Sequence, residues 1–238
     1  MEHKAFTAQG SREENEDSHI CIENDGNCCF VVADGLGGHG QGGAASQKVV
    51  KVFEREFGTI RENCSSFLKR AFETAQAEVL SMQKTAFEIK TTAVVLVKIG
   101  KKLAWGHIGD SRLYHFRRGK LRQRTLDHSV AQALLPLGKI YHADLASNPD
   151  RNILLRVIGE KWDEPKYEFS KTVGVKKGDA FLLCSDGIWE YITNDKVQEF
   201  LNRSESTQEW LECIISEVEC NGRNADMDNY TAIAVRVL

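Results

Sequence analysis

The chemistry of this chain concentrates where acidic residues stand at the ends of apolar runs. Phe30, Val31, Val32 and Ala33 read as a buried strand that delivers Asp34 into a stretch carrying six glycines between Gly35 and Gly43. A carboxylate beside the exposed main-chain carbonyl of Gly35 offers the hard oxygen donors that magnesium and manganese prefer. The residues Gly35-Leu36-Gly37-Gly38-His39-Gly40 also match a dinucleotide-binding fingerprint formally, with Glu54 and Glu56 near the place of a ribose-binding acid. That fold needs a second parallel strand soon after the helix, whereas the residues beyond Phe57 read as another helix, so the metal reading takes precedence.

Asp17 precedes a second strand, joined through the hairpin turn Asn24-Asp25-Gly26-Asn27 to the one that ends at Asp34. Both acids then fall at one end of a sheet, where they repel unless a cation lies between them. The strand, acid, glycine order recurs in the apolar run 181–184 followed by Ser185-Asp186-Gly187, and Asp228 stands just before the last strand, expected over 230–237. Asp110, in Gly109-Asp110-Ser111-Arg112, reads locally as a turn residue bonding its own backbone.

The elements that must position these acids are mixed. Strands are expected over 3–9 and 18–23, with a charged connection between them. Ala45, Val49, Val50, Val52 and Phe53 fall at helical spacing within 41–57, and a second helical pattern covers 65–84. The segments 91–99, 103–108, 112–116 and 120–124 are separated by short turns and predict one antiparallel meander. Residues 128–160 break the pattern with a helical stretch, Pro136, Gly138 and Pro149, and read as an inserted flap. Helices follow near 194–202 and 207–220.

Composition narrows the class. At 238 residues the chain supports one domain, 1–238, and the net charge of −3 gives no overall basic bias toward nucleic acid. Seven cysteines, odd in number and without C-x-x-C spacing, fit reduced thiols in the cytoplasm. The N-terminus lacks an apolar signal core, and no apolar run approaches the roughly 18 residues of a membrane span, so no membrane partner is expected.

Taken together, Gly10-x-Arg12-x-x-Asn15-Glu16-Asp17, Asp34-Gly35-Leu36-Gly37-Gly38-His39, Gly109-Asp110-Ser111-Arg112, Ser185-Asp186-Gly187 and Asp228-Asn229-x-Thr231 resemble the PPM-type (type 2C) metal-dependent protein serine/threonine phosphatases, in their compact bacterial form. The resemblance spans residues 3–237. It implies an α+β fold, a four-layer α-β-β-α sandwich of two antiparallel sheets packed face to face with flanking helices, and a binuclear Mn2+ or Mg2+ centre. It makes Asp34 the bridging ligand, with Asp186 and Asp228 on one ion and Asp17 and the Gly35 carbonyl on the other. Asp110 and Asp186 would hold a third ion, Glu16 would position water and Arg12 would bind phosphate. The histidine proposed as general acid in animal relatives follows the Asp-Gly pair directly; here Leu36 stands there and the nearest histidine is His39. The flap motif Asn152-Ile153-Leu154-Leu155-Arg156 has leucine where bacterial members carry threonine, and Glu190 stands where aspartate is common. The implied activity is hydrolysis of phosphoserine and phosphothreonine in proteins, opposing a Ser/Thr kinase, by a monomer. A catalytically weak phosphoprotein-binding module and a small phosphate-ester hydrolase are the rival readings. Taken singly, Arg12 could only pair with Glu14 or Glu16, His39 could be a loop histidine and Asp186 could cap a turn.

Overall fold

Burial on both faces of the central strands decides the architecture. The computed structural model describes residues 1–37, 42–60, 63–83, 89–141 and 144–238. In the strand Asn27–Ala33, here β3, Cys29, Val31 and Ala33 turn to one side and Cys28, Phe30 and Val32 to the other, and all six are buried. A strand apolar on both faces requires a layer on each side of its sheet.

One sheet runs in the order β10 (Glu168–Phe169), β7 (Lys102–Ile108), β6 (Ala93–Ile99), β3 and β2 (Ser18–Asn24), with β11 (Val173–Gly174) also on β7. The other runs β1 (Glu2–Ala8), β13 (Tyr230–Arg236), β12 (Asp179–Cys184), β8 (Arg112–Arg117) and β9 (Lys120–Arg124). All the pairings are antiparallel. Phe30, Leu96, Trp105, Phe181, Ile233 and Val235 meet between the sheets. Helices α1 (Gly42–Gly58) and α2 (Cys64–Met82) cover the outer face of the first sheet through Val49, Phe53, Phe67 and Phe72. On the second sheet α5 (Asn194–Arg203) and α6 (Thr207–Gly222) do the same through Phe200, Trp210 and Ile214. The result is the α-β-β-α sandwich that the resemblance implied.

The hairpin at Asp25 and Gly26 forms as expected; both take positive φ, 49° and 74°, the conformation a two-residue turn needs to follow strand twist. The single meander does not form. β6 and β7 pair in one sheet while β8 and β9 pair in the other, so Gly109-Asp110-Ser111 is a crossover between sheets rather than a hairpin turn. Gly109 has φ 94°, and a Cβ there would lie 2.6 Å from Thr92 Cγ2, so this crossing admits only glycine without strain. Strands apolar on both faces carry no signal of sheet membership, which is why their spacing alone suggested a continuous meander.

The short strands β4 (Gly35–Leu36) and β5 (Lys90–Thr91), which pair with each other, were not expected, nor were β10 and β11, because two residues carry no periodicity. Among the described residues of the flap, α3 (Val130–Leu134) is the regular element, and the bridges Ser129↔Leu154 and Thr91↔Ile158 tie the segment down.

Candidate metal centre

Strand register brings the acids together. Ser18 pairs with Ala33, so Asp17 and Asp34 emerge side by side from the first sheet. In the second sheet Cys184 pairs with Ala232, and the Ser185 N–H donates to the Thr231 carbonyl at 3.0 Å. That sets Asp186, at the start of the helix α4 (Asp186–Trp189), beside Asp228, which precedes β13. Asp110 enters from the crossover. A cavity of about 640 Å³ is lined by Arg12, Glu16, Asp34, Asp110, Asp186 and Asp228, with the Gly35 backbone in its wall. Asp17 lies beneath it, 8 % exposed.

The electrostatics are those of carboxylates gathered without a counterion. Burial pushes the Asp17 carboxyl up to about 6, partly offset by the Thr231 and Ser185 hydroxyls, with Asp228 and Glu16 raising it further. Burial, then the Asp127 charge, raises Asp110 to about 7. Asp34 and Asp186 are held well above the ordinary carboxylate range, first by desolvation and then by the neighbouring acids. Ser185 Oγ donates to Asp17 Oδ2 at 2.7 Å, but Asp17 Oδ1 and Asp186 Oδ1 are buried with no hydrogen-bond partner. Orphaned buried carboxylate oxygens are costly unless something positive meets them. An all-oxygen donor set with two such atoms fits a hard divalent cation.

The backbone around the site is fixed by residues whose sequence gave little sign of the task. The Asp34 carbonyl accepts from Thr92 N–H at 2.9 Å and Thr91 Oγ1 at 2.7 Å, while Thr92 Oγ1 receives the Asp34 N–H at 3.1 Å. The Asn229 side chain gathers the loop before Asp17: Nδ2 donates to the carbonyls of Gln9 and Glu14, and Oδ1 accepts the Glu16 N–H at 2.8 Å. Trp189 Nε1 donates to the Asp110 carbonyl at 3.0 Å, and the Arg112 guanidinium, paired with Asp127, lies 3.6 Å over the Trp189 ring. Such long-range partners carry no local pattern; of these, Asn229, Arg112 and the Ser185 hydroxyl stood inside motifs that could have flagged them.

Two expected residues have definite alternative partners. Arg12 forms a two-pronged pair with Asp228, Nε to Oδ1 at 2.9 Å and Nη2 to Oδ2 at 2.8 Å, not with Glu14 or Glu16. Glu16 Oε1 accepts the Gly43 N–H at 3.2 Å in the first turn of α1, where a helix N-terminus favours a carboxylate. His39 lies outside the described residues. Glu190 reaches the flap: Arg151 Nε donates to Oε1 at 2.5 Å and Nη2 to Oε2 at 3.1 Å. Asn152 and Leu154 of the flap line the cavity wall. Apart from the acids, His107, His128 and Glu168 bring donor atoms within 4.8 Å of one another. The two rings stack at 4.5 Å and 25°; His107 Nε2 meets the Leu126 carbonyl at 2.8 Å, His128 Nδ1 accepts the Gly109 N–H, and His128 Nε2 faces Glu168 Oε1 at 3.3 Å.

A two-sheet sandwich with convergent carboxylates at one end defines a class of metal-dependent hydrolase. The protein phosphatase 2C family profile matches residues 8–216. The serine/threonine phosphatase stp of Listeria monocytogenes is 30% identical over 234 residues, covering 94% of this chain and 90% of that protein. The crystal structure of the Mycobacterium tuberculosis serine/threonine phosphatase PstP/Ppp superposes with a TM-score of 0.86 at 26% identity, covering 98% of this chain and 97% of that one. A structure of the PstP catalytic domain in complex with two manganese ions gives 0.84 at 26% identity, with coverage of 98% and 96%. This chain belongs to the protein phosphatase 2C family.

Proposed function

We infer that residues 1–238 act as one catalytic domain that hydrolyses phosphoserine and phosphothreonine in proteins, with two Mn2+ or Mg2+ ions and a third more weakly held. The observation that carries this reading is the convergence of acids from both sheets on one cavity with two buried carboxylate oxygens left unpartnered. The manganese-bound PstP structure, 26% identical to this chain, supports the choice of ion. In this reading Asp34 would bridge the two ions; Asp186 and Asp228 would hold one, Asp17 and the Gly35 carbonyl the other, and Asp110 with Asp186 the third. Bound there, the ions supply Lewis acidity for a water nucleophile and charge to offset the phosphoryl oxygens.

The chain's own groups do the rest. Arg12 projects from an exposed loop into the cavity and presents a planar fork suited to phosphate, which requires it to leave Asp228. Glu16 lines the cavity, where it would position a water, and also caps α1, so its role divides between the two. His39, the histidine nearest in sequence to the Asp34-Gly35 pair, is the candidate acid for the leaving alkoxide. Ser185, Asn229, Thr91 and Thr92 orient the carboxylate-bearing backbone.

The partners proposed are phosphorylated proteins and the Ser/Thr kinase that modifies them, met by a monomer in the cytoplasm. All seven cysteines are free thiols, and no helix of the described residues is long and apolar enough to cross a membrane. Turnover of a phosphopeptide panel by chelator-treated protein, titrated with manganese or magnesium, tests the reading. Activity should be absent after chelation and return with either ion, and full activity in chelator would overturn it.

A further inference from the structure

Of the six large apolar side chains exposed among the described residues, five sit in or beside the flap: Leu126, Leu137, Tyr141, Ile153 and Leu155, from 52 % to 80 % exposed. The sixth is Leu238, the last residue of the sequence. Leu126, Tyr141 and Leu155, with Leu135, Pro136 and Ile140, line a groove of about 650 Å³ rimmed by Arg156 and Glu168. Scattered apolar residues need no explanation, but a contiguous exposed set around a groove marks an interaction surface.

The groove and the catalytic cavity share a wall. In the extended flap segment, Asn152 and Leu154 line the cavity, while Leu155 lines the groove. The wall is held rigidly against residues 128–130: the Leu155 N–H donates to the His128 carbonyl at 2.7 Å, the Val130 N–H donates to the Ile153 carbonyl at 2.9 Å, and Ser129 bridges Leu154. His128, also on the groove, donates its own N–H to the Gly109 carbonyl beside Asp110. A polypeptide whose phosphorylated residue enters the cavity therefore meets the groove on leaving it over this side.

Resting on the phosphatase reading, we propose that the groove receives an apolar side chain of the substrate polypeptide, near in sequence to the phosphorylated residue. The partition is one strand thick, roughly 5–10 Å, and an extended chain rises about 3.3 Å per residue, which places the apolar residue about two to three positions away. The occupant is a stretch of substrate main chain with one leucine-like anchor, because the flap segment carrying Asn152 and Leu154 separates the groove from the cavity that holds the carboxylates. The flap thus selects among phosphoproteins by what flanks the phosphate, while the carboxylates recognise the phosphate itself.

The test compares phosphothreonine peptides that carry leucine or serine two or three positions to either side, with p-nitrophenyl phosphate as a substrate that cannot reach the groove. At one position leucine should raise kcat/KM by roughly 10- to 100-fold, mainly through KM, the scale of burying one such side chain. The double variant Leu126→Ser with Tyr141→Ser should erase that preference while p-nitrophenyl phosphate turnover and the melting temperature stay unchanged, both side chains being solvent-exposed. Equal kcat/KM for leucine and serine peptides at every position would overturn the proposal. So would self-association of the protein that the double variant abolishes, because the groove would then belong to a second copy. If the parent protein fails to hydrolyse even p-nitrophenyl phosphate with manganese present, the phosphatase reading fails separately. Peptide affinity, read by fluorescence anisotropy, then decides the groove on its own: a leucine preference lost in the double variant sustains it, and none refutes it.

Discussion

Replacing Asp17 with asparagine should stabilise the metal-free protein and make that gain depend on pH. Asp17 is buried, its carboxyl ionises at about 6 rather than near 3.8, and the first cause is desolvation. Because the folded value is raised, the folded state holds its proton more tightly than the unfolded chain between these limits. Stability attributable to this group is therefore unaffected below about pH 4 and falls as pH climbs toward 6, levelling above it. The full difference corresponds to about 3 kcal/mol at about 1.36 kcal/mol per pH unit. Asparagine keeps an oxygen that can accept the Ser185 hydroxyl and carries no charge, so its advantage should reach about 1–3 kcal/mol at pH 8 and vanish by about pH 4. Urea unfolding of parent and variant in chelator from pH 4 to 8 measures this directly. With excess manganese the order should reverse, because the parent gains stabilisation from an ion that the variant holds poorly. A variant less stable than its parent in chelator at pH 8, or an advantage independent of pH, would refute the reasoning.

Asp34→Asn should abolish phosphopeptide turnover without loss of fold, as checked by kinetics beside circular dichroism, since it removes the charge at the centre of the carboxylate group. Asp110→Asn should leave calorimetric binding of two ions nearly intact and lower kcat roughly 10- to 1000-fold, the scale of one lost electrostatic or acid/base contribution; wild-type kcat would leave Asp110 a structural crossover residue. Burial raises the Cys184 thiol to about 12, so it is protonated and unreactive at neutral pH, and Cys184→Ser should cost about 1–3 kcal/mol in thermal unfolding through a buried hydroxyl while kcat holds. Glu190→Gln should weaken the two-pronged tie to Arg151 and raise phosphopeptide KM about 3- to 10-fold, with p-nitrophenyl phosphate turnover as the unaffected control.

Much of the site was legible because strand ends are legible. Asp34 directly follows an apolar run, Asp186 follows one across Ser185, and each precedes a glycine, while the turn at Asp25-Gly26 fixes which end of the hairpin Asp17 shares with Asp34. The helices over α1, α2, α5 and α6 follow from their apolar spacing within a residue or two. What spacing cannot show is partnership across the chain. The β7 and β8 strands are near neighbours in sequence yet enter different sheets, because both are apolar enough to sit in either. Arg12 finds its carboxylate 216 residues away, and Glu16 turns to an amide of α1. Glu190 shows the same limit at shorter range: its place after Trp189 is plain, but its ion pair with the flap depends on how residues 145–154 fold back.

The crossing at Gly109 has a consequence for how this protein assembles. Asp17 and Asp34 belong to one sheet, Asp186 and Asp228 to the other, and Asp110 to the link between them. Neither half alone owns a complete site. The cavity comes into being only when the two sheets close on each other, after long stretches of chain have paired, and this is the slow, entropically expensive part of folding a β-rich topology. An ion bound there would act as a clasp across the seam, resisting the separation of halves that are otherwise joined mainly by the apolar contacts of Phe30, Leu96, Phe181 and their neighbours. The affinity for that ion and the cohesion of the sandwich are then one linked quantity, and a change that loosens the seam far from any carboxylate would register first as weakened metal binding.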